Sequence, residues 1–116
     1  MNLLNSFKYA IRGVLNATQG QRNIKIHWLA AGMIVMVGFY LDFNYVDWCI
    51  AVIMIGVVIS AEVFNTAIEA IVNFISPEKK IEAGRIKDLS AGAVLLVSVG
   101  ALFVGVLLVS SKLILE

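Results

Sequence analysis

Two carboxylates lie inside a run of residues that is otherwise almost wholly apolar. Glu62 and Glu69 belong to the segment 49–75, where an ionisable side chain is costly if the segment crosses a bilayer. At about 100° per residue of helix, both share one face, roughly 100° wide, with other polar side chains. This polar stripe consists of Glu62, Asn65, Thr66, Glu69 and Asn73. It offers ligands for a cation and acceptors for a proton.

The residue types in and near the polar stripe suit phosphoryl transfer. A carboxylate can bind Mg²⁺, a hard cation that takes oxygen ligands and often accompanies phosphate. A second carboxylate one or two turns away can accept the proton of a hydroxyl group, and the amide of Asn65 can orient a hydroxyl or a phosphate oxygen. Arg85 and Lys87 can neutralise phosphate charge. Phosphoryl transfer depends mainly on such positioning and neutralisation.

Other interpretations of the polar stripe remain open. Its side chains can serve only to join helices through hydrogen bonds, as in a non-catalytic assembly protein. A small proton-coupled transporter also carries a carboxylate in the membrane, but such a chain would have four spans. The sequence has no P-loop pattern and no glycine-rich kinase loop. A nucleotide would therefore bind to the membrane domain itself.

The composition indicates a single domain, residues 1–116, that is embedded in a membrane. Of the 116 residues, 60% are hydrophobic and 15% are charged, whereas soluble domains carry about 25% charged residues. The net charge of +1 gives no basis for binding nucleic acid.

The hydrophobic pattern predicts an all-α membrane protein with four helices. Apolar residues spaced at i, i+3, i+4 and i+7 over 3–18 predict an amphipathic helix on the membrane surface, with a helix packed on a partner as the alternative. The apolar runs 26–41, 48–75 and 89–109 predict transmembrane helices. The first run is short against the roughly 20 residues that cross a bilayer. Pro77 should end the second of these helices.

The distribution of Lys and Arg predicts the orientation in the membrane. Basic residues precede the first span and recur in the segment 76–88, whereas the loop 42–47 has none. Because Lys and Arg favour the cytoplasmic side, we expect the N-terminus and 76–88 to be cytoplasmic and the C-terminus to lie outside. Along the helix, Glu69 is then about 9 Å and Glu62 about 20 Å from Ile75, near the cytoplasmic surface.

The polar stripe belongs to a longer pattern that resembles a known family. The segment 62–70 reads EVFNTAIEA, 84–88 reads GRIKD and 91–95 reads AGAVL. This pattern is similar to the signature of the small prokaryotic diacylglycerol kinases, which include the undecaprenol kinases of Gram-positive bacteria. The resemblance also covers SFKYAIRG at 6–13 and RNIKIH at 22–27, and therefore nearly the whole chain.

The resemblance implies an architecture and an activity. The architecture is a homotrimer in the bacterial inner (plasma) membrane, with a surface helix and three spans per protomer and active sites shared between neighbours. The activity is ATP-dependent phosphorylation of the hydroxyl group of a membrane lipid alcohol, with MgATP as the donor. Diacylglycerol and undecaprenol both remain possible substrates.

The resemblance also implies roles for individual residues. Glu62 matches the catalytic base, Asn65 an active-site amide, and Glu69 a carboxylate that binds the metal and, with it, the nucleotide. A nucleotide-binding group follows on the next helix: Lys87 and Asp88, with Arg85 in the same block.

One position departs from the family's pattern. Relatives usually have a glutamate just before the stretch that ends in His27, as a further metal ligand, whereas this chain has Gln21. An amide offers one neutral carbonyl oxygen, so Gln21 is a weaker ligand for Mg²⁺ than a carboxylate. The explanations are a natural variant with altered metal binding, a less active relative, or a substitution introduced on purpose.

Overall fold

Four α-helices make up most of the chain that the computed structural model describes, residues 2–20, 22–78 and 80–114. They are α1 (Leu3–Gly20), α2 (Arg22–Tyr40), α3 (Tyr45–Ile75) and α4 (Ile81–Ile114). These residues contain no strand. The helices α2, α3 and α4 are long and apolar enough to cross a membrane. The prediction of an all-α chain with three candidate spans is therefore confirmed, and the described residues lack the fourth span of a small transporter.

Two segments that the hydrophobic pattern left as polar links are helical. α2 begins at Arg22 instead of 26, and α4 begins at Ile81 instead of 89. The reason is that 22–25 and 81–88 contain charged and apolar residues with good helix propensity and no proline. The segment 81–88 therefore forms the first two turns of α4, and the connection between α3 and α4 shortens to 76–80.

The start of α3 is fixed by a capping box and an ion pair. The side chain of Asn44 accepts a hydrogen bond from the backbone N–H of Asp47 (2.9 Å), and Asp47 Oδ2 accepts one from the backbone N–H of Asn44 (3.0 Å), which satisfies two orphan donors of the helix terminus. Asp47 Oδ2 also lies 2.7 Å from Lys112 Nζ. The first turn of α3 is thereby tied to the last turn of α4.

α3 lies between the other helices and carries most of the buried side chains. One cluster joins Ala17 of α1, Ile24 of α2 and Ile59 of α3. A second cluster joins Phe43, Ala51 and Leu108. The first cluster matters for function, because it holds the junction of α1 and α2 against α3 one turn before Glu62.

Gly38 of α2 is enclosed by aromatic rings. A methyl group at this position would lie 2.6 Å from Trp48 Cη2 and 2.8 Å from Phe43 Cδ2. Those two rings pack edge to face, with centroids 5.4 Å apart. A methyl group would therefore have to displace one of these packed rings, and glycine lets the end of α2 approach the start of α3 this closely.

We therefore expect Gly38→Ala to destabilise the protein by about 1–3 kcal/mol through overpacking. Gly32→Ala on the same helix is the matched control, because nothing lies within 4 Å of a methyl group there. Thermal unfolding in detergent micelles measures both variants. An unchanged melting temperature for Gly38→Ala would mean that this aromatic enclosure does not exist in the membrane-extracted protein.

Candidate functional site

The central residues of the polar stripe face the interior of the protein. Glu62, with 1% of its surface exposed, and Asn65, with 6%, are buried, and Glu69 is half-buried. All three lie on one face because α3 runs without interruption from Tyr45 to Ile75 and they are spaced three and four residues apart. The sequence therefore placed this face correctly.

The carboxylate of Glu62 is buried without hydrogen bonds. Neither Oε1 nor Oε2 has a partner among the described residues. Among the described side chains, the group that pairs with it is His27 of α2, whose Nε2 lies 3.7 Å from Glu62 Oε2. Burying a polar group without a partner is unfavourable. The fold therefore keeps this carboxylate buried at a cost in solvation free energy. Such a position is typical of a reactive group.

Asn65 holds Glu69 in place. Its Nδ2 donates a hydrogen bond of 3.0 Å to Glu69 Oε1. The amide oxygen of Asn65 is buried and has no hydrogen-bond partner among the described residues. This pair therefore combines a fixed carboxylate with an adjacent oxygen that can still accept a ligand.

Two members of the polar stripe, Thr66 and Asn73, are weaker candidates for the functional site than their spacing suggested. The hydroxyl of Thr66 donates to the backbone carbonyl of Glu62 at 3.0 Å, a bond that threonines in helices commonly make. Asn73 is exposed. The candidate site on α3 therefore narrows to Glu62, Asn65 and Glu69, called here the acidic face.

The predicted nucleotide-binding residues lie on the first two turns of α4. Lys87 is half-buried, whereas Arg85 and Asp88 are exposed. Among the described side chains, no hydrogen bond or ion pair joins any of these three to the acidic face. One chain therefore presents two separate groups of candidate residues.

The oxygen atoms of the acidic face suit Mg²⁺, but one chain supplies only part of a coordination shell. The described residues contain no group of three or more His, Cys, Asp or Glu side chains that could hold a metal ion. Mg²⁺ is commonly held by one or two carboxylates together with phosphate oxygens and water. The second oxygen of Glu69 and the unpartnered amide oxygen of Asn65 fit that requirement. The further predicted ligand, Gln21, lies outside the described residues.

An apolar groove runs along the bundle beside the site. It has a volume of about 680 Å³ and lies between α2, α3 and α4. His27 is one of its lining residues. The others are mainly small and aliphatic, among them Ala30, Ala51, Ile59, Ala101 and Gly105. The groove therefore places an apolar surface next to the partner of Glu62.

The contact between His27 and Glu62 is the feature of the site that the sequence did not reveal. From the sequence, His27 was only the last residue of a segment that resembles the family's pattern. The pairing depends on how α2 packs against α3, which no local spacing encodes. The one available signal was that the chain's single histidine lies in the segment RNIKIH.

Comparison with known proteins gives consistent similarities. The sequence model described as prokaryotic diacylglycerol kinase matches residues 8–109. The chain is 34% identical over 108 residues to the undecaprenol kinase of Bacillus subtilis (strain 168), which covers 93% of this chain and 88% of the relative. It is 34% identical over 105 residues to the diacylglycerol kinase of a Synechocystis species, covering 90% and 60%. It is 26% identical over 108 residues to the diacylglycerol kinase of Haemophilus influenzae, covering 91% and 92%.

Proposed function

The chain belongs to the prokaryotic diacylglycerol kinase family, a family of lipid kinases, and we propose that it phosphorylates the hydroxyl group of a membrane lipid alcohol, diacylglycerol or undecaprenol. The observation that carries this proposal is the buried, unpartnered carboxylate of Glu62, whose neighbour His27 lines an apolar groove. A lipid alcohol combines the two chemical features that such a site accommodates, a hydroxyl group and an apolar tail.

Glu62 acts as the general base in this proposal. Its carboxylate accepts the proton of the lipid hydroxyl while the hydroxyl oxygen attacks the γ-phosphorus of ATP. The bond between that phosphorus and the β,γ-bridging oxygen breaks, and ADP leaves. Both oxygens of Glu62 lack hydrogen-bond partners among the described residues, so either can take the proton. Burial also keeps bulk water away from the reacting phosphoryl group.

Glu69 and Asn65 would hold Mg²⁺, with position 21 as a further candidate ligand. The hydrogen bond from Asn65 Nδ2 fixes the orientation of Glu69 and leaves the second carboxylate oxygen for the metal. When bound, Mg²⁺ would neutralise negative charge on the phosphate oxygens. Glu69 thereby also contributes to nucleotide binding.

The α4 residues would bind the nucleotide in a site shared between protomers. Lys87 and Arg85 supply positive charge for phosphate oxygens, and Asp88 accompanies them as a hydrogen-bond acceptor for the nucleotide. Because no hydrogen bond or ion pair among the described side chains joins them to the acidic face of their own chain, a neighbouring protomer would supply its acidic face to them. A homotrimer with three such sites fits this arrangement.

In the proposed orientation, the site lies at the cytoplasmic side of the membrane. α1 lies on the cytoplasmic surface of a bacterial plasma membrane, because its apolar residues Leu3, Leu4, Phe7 and Ile11 are all more than half exposed and need an apolar environment. The basic residues near α1 and at the start of α4 favour the cytoplasmic side. The acidic face then lies where a lipid head group and water-soluble ATP can meet.

We expect Glu62→Gln to lower turnover by about 10²- to 10⁴-fold, because the amide keeps the shape of the side chain but cannot take the proton. Transfer of phosphate from MgATP to diacylglycerol and to undecaprenol in mixed micelles measures the effect and also identifies the substrate. Thr66→Val is the control, since its hydroxyl is already bonded to the helix backbone. A Glu62→Gln variant that keeps more than a tenth of the rate would remove Glu62 from this role.

Glu69→Gln should weaken the use of Mg²⁺, because a neutral amide is a poorer ligand than a carboxylate for a hard cation. Raising the Mg²⁺ concentration should therefore restore part of the lost rate. The measurement is a Mg²⁺ titration of activity at fixed ATP for the variant and the wild type. If added Mg²⁺ restores nothing, Glu69 has another function.

Mixing inactive protomers tests whether sites are shared. Glu62→Gln lacks a working acidic face, and Lys87→Ala lacks a working α4 group, so each should be strongly impaired alone. In randomly mixed trimers, about a quarter of the interfaces would combine an intact acidic face with an intact α4 group. We expect activity to return to about that fraction after the two variants are mixed in denaturant and refolded together.

A second mixture provides the matched control. Glu62→Gln and Glu69→Gln both alter the acidic face, so no interface between them has an intact one, and activity should stay low. Failure of Glu62→Gln and Lys87→Ala to complement each other would place the whole site within one protomer.

A further inference from the structure

We propose that His27 is the positioning residue of Glu62. In this inference the Nε2–H group of the imidazole, on α2, donates to the carboxylate of Glu62 on α3 and holds it in the orientation that the reaction needs. The inference rests on the proposed function, in which Glu62 takes the proton of the lipid hydroxyl. It assigns His27 no role in binding ATP.

The distance between the two groups supports a direct interaction. His27 Nε2 and Glu62 Oε2 are 3.7 Å apart, about 0.5 Å beyond the upper limit of an ordinary N–H···O hydrogen bond. A small rotation of either side chain closes this gap. Catalytic hydrogen bonds are often long in structures without substrate and shorten when the reactive complex forms.

The surroundings of Glu62 leave His27 as its charge partner among the described side chains. α1 approaches this region through Ala17, which is uncharged. On α3, the nearest acidic residue of the stripe is Glu69, which is held by Asn65. No described side chain of α1 or α4 forms an ion pair with Glu62 or His27. Among the described side chains, His27 therefore remains the group able to hold the buried carboxylate in place.

The difference in exposure explains why a histidine suits this place. The side chain of Glu62 is 1% exposed, whereas that of His27 is 18% exposed. His27 can therefore keep part of its ring in contact with water or lipid head groups while one nitrogen faces the buried carboxylate. It also lines the apolar groove, so it lies between the buried base and the surface proposed to hold the lipid.

Kinetic measurements separate positioning from simple packing. We expect His27→Leu, which removes the donor, to lower kcat roughly 10- to 100-fold, the usual effect of losing a residue that orients a reactive group. The KM for ATP should change little, because the inference gives His27 no contact with the nucleotide. His27→Gln, which restores an N–H donor, should recover a substantial part of kcat. In a Glu62→Gln background, His27→Leu should cause little further loss, since His27 acts through Glu62.

Trp28→Phe is the matched control for damage to α2. Its indole N–H bonds to Thr18 Oγ1 of α1 at 3.2 Å, so this variant perturbs the junction of α1 and α2 beside His27 but leaves Glu62 untouched. A fall in kcat equal to that of His27→Leu would show that the loss comes from helix packing and would overturn the inference. So would a rise confined to the KM for ATP, or a His27→Gln variant no better than His27→Leu.

A readout that needs no activity is available because His27 is the chain's only histidine. In protein labelled with isotopes at histidine, the imidazole resonances report this one side chain. We expect Glu62→Gln to shift them and Glu69→Gln, a change of the same kind two turns away, to leave them in place. Unshifted resonances in Glu62→Gln would overturn the contact. If Glu62→Gln shifts the resonances as expected but the wild-type protein phosphorylates neither lipid, the proposed function is overturned and the contact stands.

Discussion

A carboxylate kept out of water inside an apolar bundle is the constraint that the rest of this structure has to satisfy. Glu62 is almost fully buried, and an ion in that position costs several kcal/mol unless it is compensated. The surrounding helices offer this carboxylate little compensation. α2 brings the imidazole of His27 near it, and the junction of α1 and α2 packs one turn away, at Ile59. Natural proteins tolerate such local violations chiefly at functional sites.

A single chain also looks incomplete as an active site. α3 supplies the acidic face and α4 supplies cationic side chains, yet these two groups do not meet among the described residues. Large apolar side chains on all four helices are also exposed in the isolated chain. Lipid can cover apolar surface, but it cannot bring Lys87 to a carboxylate. A second copy of the chain can do both, which makes assembly part of the proposed chemistry.

Regular spacing made the helices and the acidic face predictable. Glu62, Asn65 and Glu69 could be placed on one face because helical period converts sequence separation into direction. The same rule could not show that the Thr66 hydroxyl donates to the backbone carbonyl of Glu62, since local geometry decides where that hydroxyl bonds.

The remaining features depend on information that spacing does not contain. Hydropathy marked 81–88 as a link because it detects apolar runs, whereas helix formation also follows from charged residues with good helix propensity. The His27–Glu62 contact depends on the packing of two helices. For the roles of Lys87, Asp88 and Arg85, the sequence offered a resemblance, and the structure supplies their location on α4.

The ion pair between Asp47 and Lys112 has a consequence for the way the protein meets bilayers of different thickness. α3 and α4 are joined covalently through 76–80 at one end and by this ion pair at the other. Two helices fastened at both ends cannot slide past each other along their axes. A thicker or thinner membrane must therefore be accommodated by tilting the α3–α4 pair as a unit. The axial offset between the carboxylates of α3 and the cationic turn of α4 then stays constant from one membrane to another.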